Sequence, residues 1–308
     1  MNKEEIVQEI EELKLKKNAL ILAHYYVDGD LQDVADFVGD SYALAKKAVA
    51  SNKDQIVFCG VKFMGESAKL LNPDKRVFLV EKNAFCPMAD MIHGSDIEEY
   101  KKQYEDLYVV TYINSTAETK AHSDVCVTSS NAVKIVKKIQ AKNILLCPDK
   151  NLGYFIKSRL EDSLSEKNII IHDGYCPVHE EFSKEVLEKA KKDHPNALVL
   201  IHPESNPSCY PLADYIGSTS GILKTARESD CQEFIIGTER GILYQLQKDS
   251  PDKKFYFTDL KQTCEDMKKL TLEKLRDCLR DDLNEVFLDE ETMEKASVPL
   301  KRMLELAE

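Results

Sequence analysis

Three stretches of this 308-residue chain share one frame: LQDVADFVGDSYAL (31–44), AHSDVCVTSSNAV (121–133) and CYPLADYIGSTSGIL (209–223). Each carries an aspartate amid apolar positions, then small hydroxyl residues opening a helical pattern. Self-similarity with a period near ninety residues constrains the fold more tightly than composition does, because one supersecondary unit has to occur three times. Aligning Asp36, Asp124 and Asp214 brings other features into register. Twelve residues earlier, His24, Tyr112 and His202 end β-like runs, with Tyr26, Asn114 and Glu204 two positions further on. Five residues after each aspartate stand Ser41, Ser129 and Thr219, and twenty-three after come the apolar runs QIVFCG, NILLCP and EFIIGT.

Each copy closes with one more strand-like run and then a cysteine, so Cys86, Cys176 and Cys264 are equivalent, 90 and 88 positions apart. A single thiol is commonly a small buried hydrophobe. Three thiols closing three copies of one frame are better read as a set. Between the β-like runs lie helical stretches such as SYALAKKAVA, NAVKIVKKIQ and GILKTARES. That alternation predicts an α/β fold of three pseudo-threefold-related αβα units with mainly parallel sheets. The boundaries expected are 1–84, 85–174 and 175–264, with 265–308 packing back on the first unit. The repeat does not fix strand order. Ligands bind at the carboxyl ends of strands in open α/β sheets, so the polar strand-end residues should converge on the threefold axis.

Nine cysteines and no CxxC pair mean that a metal site has to gather its ligands from distant segments. Three thiolates on one axis suit zinc or three corners of a [4Fe–4S] cluster. The lack of a symmetric fourth cysteine favours the cluster, which would keep one iron open as a Lewis acid. The net charge of −12 argues against nucleic acid or an anionic membrane as partner. An anion can still be held by helix N-termini and hydroxyls, which the segments GDSYA, VTSSNA and GSTSG supply; each taken singly reads as simple capping. His24, His202, Tyr26, Tyr112, Asn114 and Glu204 add acid–base and hydrogen-bonding groups beside that cradle. His179, three residues after Cys176, and Glu239 in IIGTERG are further candidates, although such residues often serve only a helical turn or a strand end. The amphipathic start, with Ile6, Ile10 and Leu13, reads as a surface helix rather than a signal peptide, and no apolar run approaches a membrane span. A cytoplasmic protein is expected.

Taken together, AHYYVDGDLQDVADFVGDS, VFCGVKFMGESAKLLNP, TYINSTAETKAHSDVCVTSSNA, PDKNLGY, HPES, ADYIGSTS, DMKKLTLEKL and PLKRML resemble the quinolinate synthase (NadA) family over essentially the whole chain. The resemblance implies three α/β domains around a central [4Fe–4S] cluster held by Cys86, Cys176 and Cys264. It implies condensation of iminoaspartate with dihydroxyacetone phosphate to quinolinate, releasing phosphate and two waters, on the route to NAD. Carried over by motif, Glu204, His202, Tyr26 and Tyr112 are the catalytic group. His24, Ser41, Asn114, Ser129, Ser218 and Thr219 hold substrate. The resemblance allows transient contact with an iminoaspartate-producing oxidase. Other readings of the same residues are a different iron–sulfur hydro-lyase acting on a small hydroxy acid, and a metal-dependent sugar-phosphate sensor. The chain departs from the family pattern at Ser205, where many relatives have cysteine, and at Thr258 and Lys261, where some relatives carry further cysteines. A third departure is Phe85, in place of the usual glycine before the first ligand.

Overall fold

The computed structural model describes residues 2–164 and 166–308. Three four-stranded parallel sheets organise it. The first comprises β1 (Ala19–His24), β2 (Phe37–Gly39), β3 (Gln55–Cys59) and β4 (Arg76–Leu79). The second comprises β5 (Leu107–Tyr112), β6 (Val125–Val127), β7 (Asn143–Cys147) and β8 (Asn168–Ile171). The third comprises β9 (Leu198–Ile201), β10 (Tyr215–Ile216), β11 (Glu233–Gly237) and β12 (Lys254–Tyr256). Their orders, β2-β1-β3-β4, β6-β5-β7-β8 and β10-β9-β11-β12, are one topology used three times. The α/β class and the three related units expected from the repeat are what the structure shows.

Central strands of a parallel sheet are covered on both faces, so they are apolar throughout rather than alternating. Every residue of β1 is buried. In the third sheet the side-chain alternation sorts two cores. Val199, Ile201 and Ile235 pack with Phe182 and Leu187 on one face, while Leu200, Phe234 and Ile236 pack with Ile222, Ala226 and Leu246 on the other. The helices Lys184–Asp193 and Thr219–Glu228 lie on opposite faces, which makes the unit three-layered.

The aspartates that set the repeat frame turn out to be structural. Asp36, Asp124 and Asp214 each accept, through a side-chain oxygen, the backbone N–H of a residue fifteen positions earlier: Ile21 at 2.8 Å, Val109 at 2.7 Å and Val199 at 2.8 Å. Each returns its own N–H to that residue's carbonyl at 2.9 Å. This two-way bond sets where each second strand starts beside the first, and it satisfies backbone groups the short edge strand would leave unpaired. A second threefold device closes the next helix. Lys75, Lys167 and Lys253 direct their ammonium groups at terminal carbonyls of the helices Ser41–Ala50, Ala132–Lys138 and Thr219–Glu228. A cation at a helix C-terminus also meets the negative end of its dipole.

The helix Leu272–Asp281 packs on the N-terminal helix Lys3–Lys16, and the last helix, Glu290–Ala307, crosses Lys62–Leu71, Ala117–Ala121, Ala132–Lys138 and β6. One continuous core therefore runs through the first sheet, one face of the second and the terminal helices, whereas the other face of the second sheet and both faces of the third have cores of their own. No described helix is long and apolar enough to cross a membrane.

Candidate active site and metal centre

Strand order reverses between the first and third strands of each unit, and such reversals open crevices at the carboxyl ends. The three crevices meet in one cavity lined from all three units. Of the residues singled out from sequence, Cys86, Cys176, Cys264, His24, Tyr26, Ser41, Tyr112, Asn114, Ser129, His202, Glu204 and Thr219 all line it. Ser218 does not: its hydroxyl is turned to the Gly221 N–H as the cap of its own helix.

The cysteine loops are built alike. The residue two before each cysteine accepts a backbone N–H from a residue at or just before the start of the helix after the third strand. These bonds are Lys62 to Ala84 at 2.9 Å, Lys150 to Gly174 at 2.8 Å and Arg240 to Gln262 at 2.8 Å. Each cysteine then stands before a short helical turn whose N–H groups face its sulfur: Ala89 and Met88 for Cys86, His179 for Cys176, Met267 and Asp266 for Cys264. Two buried carboxylates hold the loops from behind. Asp149 accepts the Cys176 N–H at 3.1 Å and Glu239 the Cys264 N–H at 3.2 Å. Gln262 sits at φ 48°, a left-handed conformation unfavourable for a side chain with a Cβ. Its carboxamide compensates by donating to the Ile236 and Thr238 carbonyls and accepting from Thr258.

Burial pushes the thiols up, Cys86 to about 12, Cys264 to about 11 and Cys176 well above its usual range. Thiols so placed ionise when a cation is bound among them. Three sulfurs on pinned loops, each met by backbone donors of the kind that tune cluster sulfurs, fit a [4Fe–4S] cluster with three protein ligands.

Acid–base groups share the cavity with the sulfurs. Nδ1 of His24 accepts the Tyr26 N–H at 3.2 Å, and Nδ1 of His202 accepts the Glu204 N–H at 3.4 Å. The same residue spacing thus fixes the same tautomer twice, leaving Nε2–H of each imidazole as a donor. Burial pushes His24 down to about 4 and His202 to about 3, so both rings are neutral at pH 7. Burial opposes ionisation of Glu204, yet hydrogen bonds from His179 and the Tyr112 hydroxyl hold its carboxyl below the usual range. His179 lies 2.7 Å from Glu204 through Nδ1 and bonds Thr238 Oγ1 at 2.8 Å through Nε2. Tyr26 joins Thr219 and Thr238 at 2.8 and 2.7 Å, and burial raises Tyr26 and Tyr112 so that both keep their protons.

The hydroxyl segments separate position by position. Asp40 and Ser218 cap their helices, so the capping role falls one residue before Ser41 and Thr219. In the second unit the cap position is Asn131, whose side chain accepts the Thr128 N–H at 2.7 Å. Ser41, Ser129 and Thr219 are thereby left to the cavity, with Ser129 bonded to His202 Nε2 at 3.2 Å. Two buried polar atoms of wall residues, Asn114 Oδ1 and Thr128 Oγ1, have no hydrogen-bond partner among the described residues. Buried polar groups are rarely left so. No Lys or Arg is among the described lining residues.

Asn114 owes its position to a residue the repeat does not reveal. Lys120 is fully buried, and its ammonium donates to the carbonyls of Ile113, at 2.8 Å, and Ser115, the two neighbours of Asn114. A lysine in TAETKAH reads as solvated helix surface, and only the tertiary fold turns it inward. Asp149 and Glu239 had a signal: each lies two residues beyond the aligned third-strand ends Cys147 and Gly237, where the first unit has Val61.

Comparison with known proteins shows the family. The sequence profile of the family described as Quinolinate synthetase A protein matches residues 8–305. A protein of Caldicellulosiruptor saccharolyticus named quinolinate synthase is 50% identical over 307 residues, covering all of both chains. One of the same name from Fusobacterium nucleatum is 50% identical over 298 residues, 97% of this chain and 98% of that one. Another from Aquifex aeolicus is 45% identical over 308 residues, 98% of this chain and 94% of that one.

Proposed function

The chain belongs to the quinolinate synthetase A family, and from that premise we propose that its cavity condenses iminoaspartate with dihydroxyacetone phosphate to quinolinate, with loss of phosphate and two waters. The observation that carries the reading is the convergence of three like-built cysteine loops and the acid–base groups on one cavity. The family and its named relatives support the synthase, and not the hydro-lyase or the sensor.

We assign Cys86, Cys176 and Cys264 as the ligands of a [4Fe–4S] cluster. When bound, the cluster supplies an open iron as Lewis acid toward a substrate carboxylate or hydroxyl and assists loss of water. The remaining work falls to the chain. Ser41, Ser129 and Thr219, at or beside three helix starts, receive the phosphate and later a carboxylate, so backbone N–H groups and hydroxyls replace the absent Lys and Arg. His24 and His202 donate Nε2–H as neutral rings, polarising a carbonyl without adding a charge. Asn114 aligns the substrate through its free Oδ1. Glu204 accepts a proton at its carboxylate and exchanges it with His179, while Tyr26 and Tyr112 return protons from their hydroxyls. Phe63, Met64 and Met267 form an apolar wall that limits water. The small charged substrates suit a cytoplasmic enzyme, and a transient encounter with an oxidase would supply the unstable imine.

The test is quinolinate formation by the anaerobically reconstituted protein, from dihydroxyacetone phosphate and iminoaspartate generated in place, read by chromatography. Quinolinate stoichiometric with released phosphate is expected. A protein that holds its full complement of iron and makes none would overturn the assignment.

A further inference from the structure

Within the cavity, three potential metal donors from three residues gather in one buried group. Cys176 Sγ, a nitrogen of His179 and a carboxylate oxygen of Glu204 all lie within 4.8 Å of one another. His179 Nδ1 is 3.2 Å from the sulfur and 2.7 Å from the carboxylate. His179 and Glu204 are 2% and 3% exposed, so the group is shielded from competing water. Neither Cys86 nor Cys264 belongs to it.

We propose that in the cluster-free chain Cys176, His179 and Glu204 form a mononuclear zinc site, filled in competition with the cluster. The ligand chemistry is what zinc takes: one thiolate, one imidazole and one carboxylate, with a fourth tetrahedral position open toward the cavity. The spacing is right for a single helical turn, because Cys176 precedes the helix Pro177–Glu180 and His179 is its third residue. The outer partner is present as well. Metal-bound histidines characteristically engage their other ring nitrogen, and His179 Nε2 bonds Thr238 Oγ1, itself held by Tyr26. That arrangement fixes the ring with Nδ1 turned to the sulfur and carboxylate. Ligands about 2.0–2.3 Å from zinc at tetrahedral angles stand roughly 3.3–3.6 Å apart. His179 Nδ1 therefore needs to move only some tenths of an ångström away from the sulfur and from the carboxylate oxygen.

Because the zinc site and the proposed cluster share Cys176, the two exclude each other. Zinc would also occupy Glu204, the proton acceptor of the reaction, so the zinc-loaded chain is inactive on two counts. The site rests on the ligand assignment above in that one cysteine alone.

The experiment is a zinc titration of the full-length, cluster-free protein by equilibrium dialysis, with cobalt(II) as a spectroscopic stand-in. One zinc per chain is expected, with a cobalt charge-transfer band of single-thiolate intensity. Cys176→Ser and His179→Ala should abolish tight binding, and Glu204→Gln should weaken it. Cys86→Ser and Cys264→Ser should retain it. Thr238→Val, which removes the outer partner, should weaken binding about 10- to 100-fold. Circular dichroism on each variant identifies any that fail to fold, and Glu204→Gln and Thr238→Val carry the test if His179→Ala does. Zinc lost in Cys86→Ser or Cys264→Ser but kept in His179→Ala would mean a three-cysteine site and overturn the proposal, as would no zinc at all. Iron and sulfide uptake by the zinc-free protein, measured separately, tells the two readings apart. Iron without zinc removes the zinc site alone, and zinc without iron removes the cluster alone.

Discussion

His179 Nδ1 lies 2.7 Å from a carboxylate oxygen of Glu204, with both side chains buried and His202 stacked on His179 at a ring-centroid distance of 4.7 Å. A charge so enclosed persists because its hydrogen-bond capacity is met. Replacing Glu204 by Gln keeps the shape and a hydrogen-bond acceptor but removes the proton-accepting oxygen. Quinolinate formation should fall by about 10²–10⁴-fold, with iron content and fold unchanged. Near-normal turnover in Glu204→Gln would place the acceptor elsewhere.

The second prediction concerns pH. His24 is fully buried, and burial lowers it to about 4 from its ordinary 6.5. The unfolded chain therefore binds a proton between pH 6.5 and 4 that the folded chain refuses. This contribution to stability is complete above pH 6.5 and is lost as pH falls toward 4. A difference of that size corresponds to about 3 kcal/mol. His24→Gln should flatten the acid side of the stability profile, measured by denaturant unfolding of the cluster-free chain at pH 7 and at pH 4.5. An unchanged slope would show that His24 is protonated in the fold.

Lys120 acts at one remove, through the carbonyls on either side of Asn114. Lys120→Met conserves length and burial while leaving both carbonyls short of a donor, a loss of about 1–3 kcal/mol in stability. In activity it should resemble Asn114→Ala, and the double variant should be no worse than either single one. If the two losses in kcat/KM instead multiply, Lys120 does not work through Asn114.

Much of this arrangement was legible in the chain, because a repeat makes weak signals add. One strand-end histidine or one buried cysteine says little; His24 beside His202, and three cysteines in register, say where three crevices meet. What the chain conceals has physical reasons. Lys120 looks like a surface residue until the first two units close over it. Ser218 and Thr219 are adjacent hydroxyls, and only helix geometry decides that the first caps while the second faces the cavity. Asp36, Asp124 and Asp214 were the clearest part of the repeat, yet they set strand pairing rather than chemistry. A repeated polar residue marks a repeated hydrogen bond, and the fold alone tells whether its partner is backbone or ligand.

Glu239 gives a prediction of the same kind for the third cysteine loop. It is completely buried, accepts the N–H groups of Gly241 at 2.6 Å and Cys264 at 3.2 Å, and is pushed up by burial to about 6. Glu239→Ala frees the Cys264 loop and should lower retained iron after gel filtration, whereas Glu239→Gln, still an acceptor, should keep most of it. Equal retention in both variants would show that the loop needs no such support.

The measurement that bears most directly on the account is iron and acid-labile sulfide per chain, on protein purified without oxygen, for the wild type and for Cys86→Ser, Cys176→Ser and Cys264→Ser. About four of each in the wild type, lost in every single variant, is the predicted result. No iron after anaerobic reconstitution, or a variant that keeps its full iron, would contradict the claim that these three pinned loops share one cluster.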